Sequence, residues 1–177
     1  QTPVITWATP EAITYGTALG QAQLGAKGDV SGAFVYSPPI GAILDAGDVE
    51  LRATFTPANL AGYSKVGKEV MLNVNKAPLT VSVKNVSRAY GESDPVFELI
   101  YDGFLNGEDE SVLLSAVNAT TTAKPGSEAG EYSIMLSGGE AANYEIKLVN
   151  GTLTIGRQTP VVTWTVPTAI TYGTGIG

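Results

Sequence analysis

The sequence predicts an all-β protein made of tandem antiparallel sandwiches, and three observations predict it. Charged residues are only 15% of the 177. Thr, Val, Gly and Ala lead the composition, which suits pleated sheets rather than a disordered chain. Helical periodicity is almost absent; short apolar–polar alternations recur instead, each broken by Gly, Pro, Asn or Asp. Finally, one stretch occurs twice. Residues 1–20 read QTPVITWATPEAITYGTALG and residues 158–177 read QTPVVTWTVPTAITYGTGIG, identical at fourteen of twenty positions. The chain therefore reads as one period of a repetitive array plus the opening of the next, with function sought in repetition.

In order, the first unit (residues 1–77) is expected to hold strands near 4–7, 13–15, 33–37, 49–55 and 69–75. Leu51, Ala53 and Phe55 share one face and Arg52 and Thr54 the other; Val70, Leu72 and Val74 alternate with Glu69, Met71 and Asn73. Each reads as a strand with one buried face. The second unit (residues 78–157) continues with Leu79, Val81 and Val83 on one face. Phe97, Leu99 and Tyr101 form another, as do Tyr132, Ile134 and Leu136, and then Tyr144, Ile146 and Leu148; a last strand spans 152–155. Seven or so short strands in a unit of about 80 residues point to an immunoglobulin-like sandwich. Residues 158–177 are expected to be the first strands of an incomplete third unit. Their unpaired edges predict a neighbouring segment or chain that holds them.

Several single residues carry structural expectations. Tyr63 and Tyr144 each follow a small-residue turn and open a late strand, the layout of a tyrosine corner whose phenol bonds nearby backbone. Tyr-Gly recurs at Tyr15-Gly16, Tyr90-Gly91 and Tyr172-Gly173. There Gly allows a positive φ and Tyr is expected to anchor the sandwich end. Trp7 and Trp164 occupy equivalent repeat positions and are expected to pack. Pro78 and Pro160 follow a basic residue at each junction and fix extended geometry. A linker of about three residues there predicts a semi-rigid rod.

Composition excludes much chemistry. With no Cys and no His, the chain lacks disulfides, thiol nucleophiles, imidazole bases and the usual zinc ligands. Residues 1–77 carry six acids and five bases, and residues 78–157 eleven and five. An acidic second unit argues against nucleic acid and anionic membranes as partners. No run approaches the roughly 18 apolar residues of a membrane helix. Glu108, Asp109 and Glu110 form an acidic turn that reads as solvated rather than as an acid–base pair. Neither they nor Asp45 and Asp48 have the loop spacing of a calcium site, and neither cluster is expected at a domain junction. Asn85, Asn118 and Asn150 open Asn-X-Ser/Thr triplets, read here as turns. No cofactor or metal is implied.

Here a resemblance enters. The first unit, with TPVITWATPEAITYG, FVYSP, LRATFTPANLAGYSKV and VMLNVNKA, resembles the bacterial Ig-like repeats of large surface adhesins. The second, with Ala89-Tyr90-Gly91, Tyr101-Asp102-Gly103-Phe104 and Asn143-Tyr144 in order, is similar to the MBG domain of the YGX type and the related YDG domain. The resemblance implies an extracellular, cell-surface bacterial protein whose domains serve as spacers or stalks, without catalytic residues or cofactor. Its expected partners are neighbouring repeats of the same chain, with the external ligand unknown. The alternatives are a ligand-binding adhesive module for glycan or protein, and a self-assembling filament subunit. Other bacterial Ig-like domains also imply Lys–Asn isopeptide bonds, for which Lys68, Lys84 and Lys147 are poor candidates.

Overall fold

The computed structural model of the chain describes residues 1–166, 169, 172 and 173. Residues 1–75 supply two sheets. β1 (Ile5–Thr6) pairs antiparallel with β3 (Lys27–Gly28). The other sheet has the order β2-β6-β5-β4, from β2 (Ile13–Thr14), β4 (Gly32–Ser37), β5 (Gly47–Pro57) and β6 (Val66–Asn75). The period-two pattern sets which face is buried. Leu51, Ala53, Phe55, Leu72 and Val74 are buried. Arg52 faces outward and meets Glu69, its cross-strand partner, at 2.7 Å. Leu19, Leu24 and Trp7 close the opposite side of this core.

Residues 77–156 supply two more sheets. One has the order β12-β7-β9, from β7 (Ala77–Val83), β9 (Leu99–Asp102) and β12 (Tyr144–Val149). The other has the order β10-β11-β13-β8, from β8 (Val86–Ala89), β10 (Leu113–Thr121), β11 (Gly130–Ala141) and β13 (Gly151–Gly156). Leu79, Val81, Ile134, Leu153 and Ile155 fill the space between them. The first and last segments of this unit each cross from one sheet to the other midway, β7 into β8 and β12 into β13. Two asparagines satisfy the backbone where the ladders break. Asn85 Oδ1 accepts from Thr152 N–H at 2.8 Å and Asn150 Oδ1 from Leu136 N–H at 2.9 Å. Two of the Asn-X-Ser/Thr triplets thus lie at the sheet crossings.

The all-β sandwich architecture is as the sequence predicts, but the sheets are not purely antiparallel. β2 runs parallel to β6, β7 to β12 and β8 to β13. The reason is directional. In each unit the chain enters at one end and leaves at the other, so its first and last strands point the same way. When these two become neighbours they pair in parallel. Strand lists read from alternation also miss β3, β8 and β10. β3 has two residues and hence no period. β10, an edge strand, buries only Val117 below a tenth of its surface, and β8 buries an arginine instead of an aliphatic residue.

The expected opening strands of a third unit are not formed in the described part of 158–177. Residues 157–166 carry no strand, and Val161, Val162, Trp164 and Val166 are each more than four-fifths exposed. Among the described residues, no segment of this chain covers them. Trp164 is 81% exposed although its counterpart Trp7 is buried at 9%. Trp7 keeps its place because its indole N–H donates to Gln23 O at 3.0 Å and its ring meets Tyr36 edge-on.

Arg88 is the buried charge the sequence did not advertise. Its Nε donates to Asp94 Oδ1 at 2.6 Å, its Nη2 to Lys124 O at 2.8 Å and its Nη1 to Ala89 O at 3.3 Å. These bonds tie two loops at the far end of the second sandwich to β8. Truncating one member of a buried ion pair strands the other. Arg88→Ala is therefore expected to lower stability by about 3 kcal/mol, measured as a shift in the urea midpoint at unchanged slope.

Candidate functional site

The place where side chains converge is the joint between the two sandwiches. β6 ends at Asn75 and β7 begins at Ala77, leaving Lys76 alone between them, a shorter link than the three residues expected. The backbone is clamped on both sides of it. Tyr15 N–H donates to Asn75 O at 2.8 Å, and Ala77 N–H to Asn143 O at 2.9 Å. Lys76 Nζ reaches across to Ala141 O at 2.7 Å.

Glu108 sits at the centre. Tyr15, from the end of the first sandwich, donates its hydroxyl to Glu108 Oε1 at 2.6 Å. Tyr144, at the start of β12, donates to Glu108 Oε2 and accepts from Leu105 N–H at 2.9 Å. Asn143 makes a second bridge: its Oδ1 accepts from Ala46 N–H and its Nδ2 donates to Asp45 Oδ1, both at 2.9 Å. A row of rings links the interior to the joint. Tyr101 lies against Phe104 at 5.6 Å between centroids, Phe104 meets Tyr144 edge-on at 5.5 Å, and Tyr144 meets Tyr15 edge-on at 5.5 Å. Edge-to-face pairs add about 0.5–1.5 kcal/mol each beyond their burial.

The loop that presents Glu108 is shaped by residues with left-handed backbone. At Gly103 φ is 120° and an added Cβ would lie 2.6 Å from Pro78 O. Only glycine fits there, which gives the Tyr-Asp-Gly motif a steric cause. Asn106 and Gly107 follow at positive φ, and Glu108 N–H closes the turn on Leu105 O at 2.9 Å. Asp109 then caps a 3₁₀ turn at Glu110–Val112 by accepting from Ser111 N–H. Bonds from the Ser111 side chain and backbone hold the Asp109 carboxyl below its ordinary range. Gly16, at φ 88°, lies directly under Leu105, whose Cδ1 would be 2.6 Å from an added Cβ.

This geometry corrects several expectations. The 108–110 turn was expected to be solvated and away from any junction; instead Glu108 is half-buried between the sandwiches. Tyr144 was expected to bond backbone near its own turn, yet its partners are Leu105 and Glu108, in another loop. Asp45, weighed as a calcium ligand, is held by Asn143. Tyr15 is buried at 7%, whereas Tyr90 is 46% exposed and Tyr172 fully so. Tyr63 is half-buried in the loop before β6, where its N–H bonds Asn59 O. Pro78 is exposed as the second residue of β7, and Pro160 is exposed outside any strand. Lys68, Lys84 and Lys147 are all exposed, so none is placed for an isopeptide bond. Apart from the joint, the first sandwich carries an apolar groove of about 580 Å³ lined by Leu24, Phe34, Val35, Tyr36 and Ile40, with Lys27 at its side. No helix among the described residues is long and apolar enough to cross a membrane.

Comparison with known families agrees with the motif order of the second sandwich. Residues 79–154 match the MBG domain (YGX type). The match takes in Tyr90-Gly91, the Tyr101–Phe104 motif, Glu108 and Tyr144, and leaves the first sandwich outside. The MBG-matching segment therefore supplies Glu108, Asn143 and Tyr144 to the joint, while residues 1–76 supply Tyr15, Asp45 and Lys76. No curated protein matches the chain.

Both phenols titrate late. The Glu108 hydrogen bond, then burial, raises Tyr15 above its ordinary 10, and burial, then the same carboxylate, pushes Tyr144 up to about 12. A group whose folded pKa is raised stabilises below its unfolded pKa, and that stability is lost as pH rises through the folded value. The joint is accordingly expected to be intact up to about pH 10 and to fail between pH 10 and 12. Tyrosinate absorbance should show late phenols, and in Glu108→Ala those of Tyr15 and Tyr144 should titrate earlier while staying above the ordinary value, because the part due to burial remains. That substitution leaves two phenols without their acceptor and is expected to cost about 1–3 kcal/mol, read by chemical denaturation at neutral pH.

Proposed function

We propose that the chain is a non-catalytic spacer segment of a repetitive bacterial surface adhesin or extracellular fibre, with residues 1–77 and 78–157 as two tandem domains. The observation that carries the reading is the joint. A one-residue connection, flanked by backbone bonds and crossed by the Tyr15–Glu108–Tyr144 and Asp45–Asn143 bridges, resists bending in more than one direction. Each unit also takes the chain in at one end and releases it at the other, as end-to-end stacking requires. The MBG match supports a repeat module of surface proteins. Tyr15, Gly16, Tyr144 and Pro78 would serve this role at the joint, with Trp7 in the first core and Tyr63, Tyr90, Gly91 and Pro160 toward the outer ends.

A second reading, an adhesive module, is favoured by one observation: the groove beside Phe34 and Tyr36, where Val35 and Ile40 are more than three-fifths exposed. Apolar surface of this kind, rimmed by polar residues, often marks a binding site.

Small-angle X-ray scattering on the chain, at several concentrations and with or without calcium, separates the readings. The expected profile is elongated, independent of concentration and unchanged by calcium. In Glu108→Ala combined with Asn143→Ala it should shift toward a hinged ensemble. A compact or hinged wild type overturns the rigid spacer. Mass that grows with concentration favours self-assembly, and stiffening by calcium points to a metal at the joint.

A further inference from the structure

The far end of the second sandwich repeats the donor half of the joint. At the joint, Thr14 of β2 is in register with Asn75 of β6, Tyr15 N–H bonds Asn75 O, and Gly16 follows at φ 88°. At the far end, Ala89 of β8 is in register with Gly156 of β13, Tyr90 N–H bonds Gly156 O at 2.9 Å, and Gly91 follows at φ 86°. The next residue of the chain is basic in both, Lys76 and Arg157. Their surroundings differ. Tyr15 is 7% exposed beneath Glu108 and Tyr144, and Leu105 crowds Gly16; Tyr90 is 46% exposed and nothing lies within 4 Å of the Cβ position at Gly91. The same backbone device is covered at one end and open at the other.

Chain continuity names what would cover it. Straight after Arg157 the sequence resumes the opening of the first sandwich. At the entry end of that sandwich, Gln1 is bound on both sides to the loop bearing Tyr63: its amino group donates to Gly62 O and its carbonyl accepts from Ser64 N–H, both at 2.9 Å. At the joint, Ala77 is bound in the same manner to the loop bearing Tyr144, through Asn143 O. Tyr63 thus holds, at the entry of the first sandwich, the place Tyr144 holds at the entry of the second.

We propose that the surface formed by Tyr90, Gly91 and Arg157 docks a further sandwich of the first type, entered at residue 158, whose counterpart of the Tyr63 loop covers Tyr90 as the Tyr144 loop covers Tyr15. This rests on the tandem-spacer reading and extends it: the array alternates two joints built on one donor device. The second joint differs chemically. The loop between β3 and β4 in a first-type unit is short, and its acid, Asp29, is the only carboxylate there to stand where Glu108 stands. Asp29 already accepts from Val4 N–H at 3.0 Å, so the Tyr90 joint is tied mainly by ring packing and Arg157.

The test extends the chain past Gly177 with the sequence of residues 21–77, completing a second first-type unit. Nitration of Tyr90 by tetranitromethane is followed by peptide mass spectrometry, and folding of the added unit by the emission of Trp164. Tyr90 is expected to react about six- to sevenfold more slowly than in the 177-residue chain, the ratio of the present exposures of Tyr90 and Tyr15 (46% and 7%), with Tyr15 unchanged and Trp164 shifted to the blue. A blue-shifted Trp164 with undiminished Tyr90 reactivity overturns the docking surface while leaving the spacer reading, which scattering of the unextended chain tests. A Trp164 that stays solvent-exposed overturns both the docking and the repeat unit it needs.

Discussion

Two phenols from two different sandwiches share one carboxylate, and the arrangement of the chain's two halves depends on that sharing. Glu108 has one oxygen for Tyr15 and the other for Tyr144, so neither phenol is left unpaired where water is scarce. Charge-assisted bonds of this kind are stronger than neutral ones, and here they close a loop between residues 93 positions apart. Asn143, bridging to Asp45 and Ala46, holds the two halves at a second, separate point. Beside the shared carboxylate, the rings of Phe104, Tyr144 and Tyr15 run edge-on from one sandwich to the next.

Direction is the second constraint. A module that is to be strung end to end must receive the chain at one end and release it at the other. In each unit here the chain does so, and where its first and last segments become neighbours they pair in parallel; the three parallel pairs among the described residues, β2–β6, β7–β12 and β8–β13, are of this kind. Tyr-Gly lies at the exit of each sandwich and a tyrosine-bearing loop at the entry.

How much was legible follows the range of each interaction. Alternation is local, and it placed Leu51, Phe55, Leu72, Leu79, Val81 and Ile134 in the interior, where they are. Motif order was also local, and Ala89-Tyr90-Gly91 through Asn143-Tyr144 pointed to the family that residues 79–154 match. The roles of Glu108 and Asn143 were not legible. An acidic turn flanked by glycine looks solvated until another unit is laid over it, and no spacing in the sequence relates residue 108 to residue 15. Arg88 was missed for a similar reason, since its partners Asp94 and Lys124 O come from separate loops.

The repeated stretch marks the division most clearly. The sequence by itself determined the all-β class, the inward faces of the long strands, the glycines that turn left-handed, and the recurrence of one opening segment. The tertiary structure decided what each copy of that segment does. Trp7 is buried against Tyr36 and Gln23, while Trp164, at the equivalent position, stands in solvent; Tyr15 is covered by the second sandwich, while Tyr172, its counterpart, is exposed. Alternation and turn chemistry act between residues close in the chain, so closely similar segments carry closely similar instructions. Burial depends on what the rest of the fold brings alongside, and that differs between the two ends.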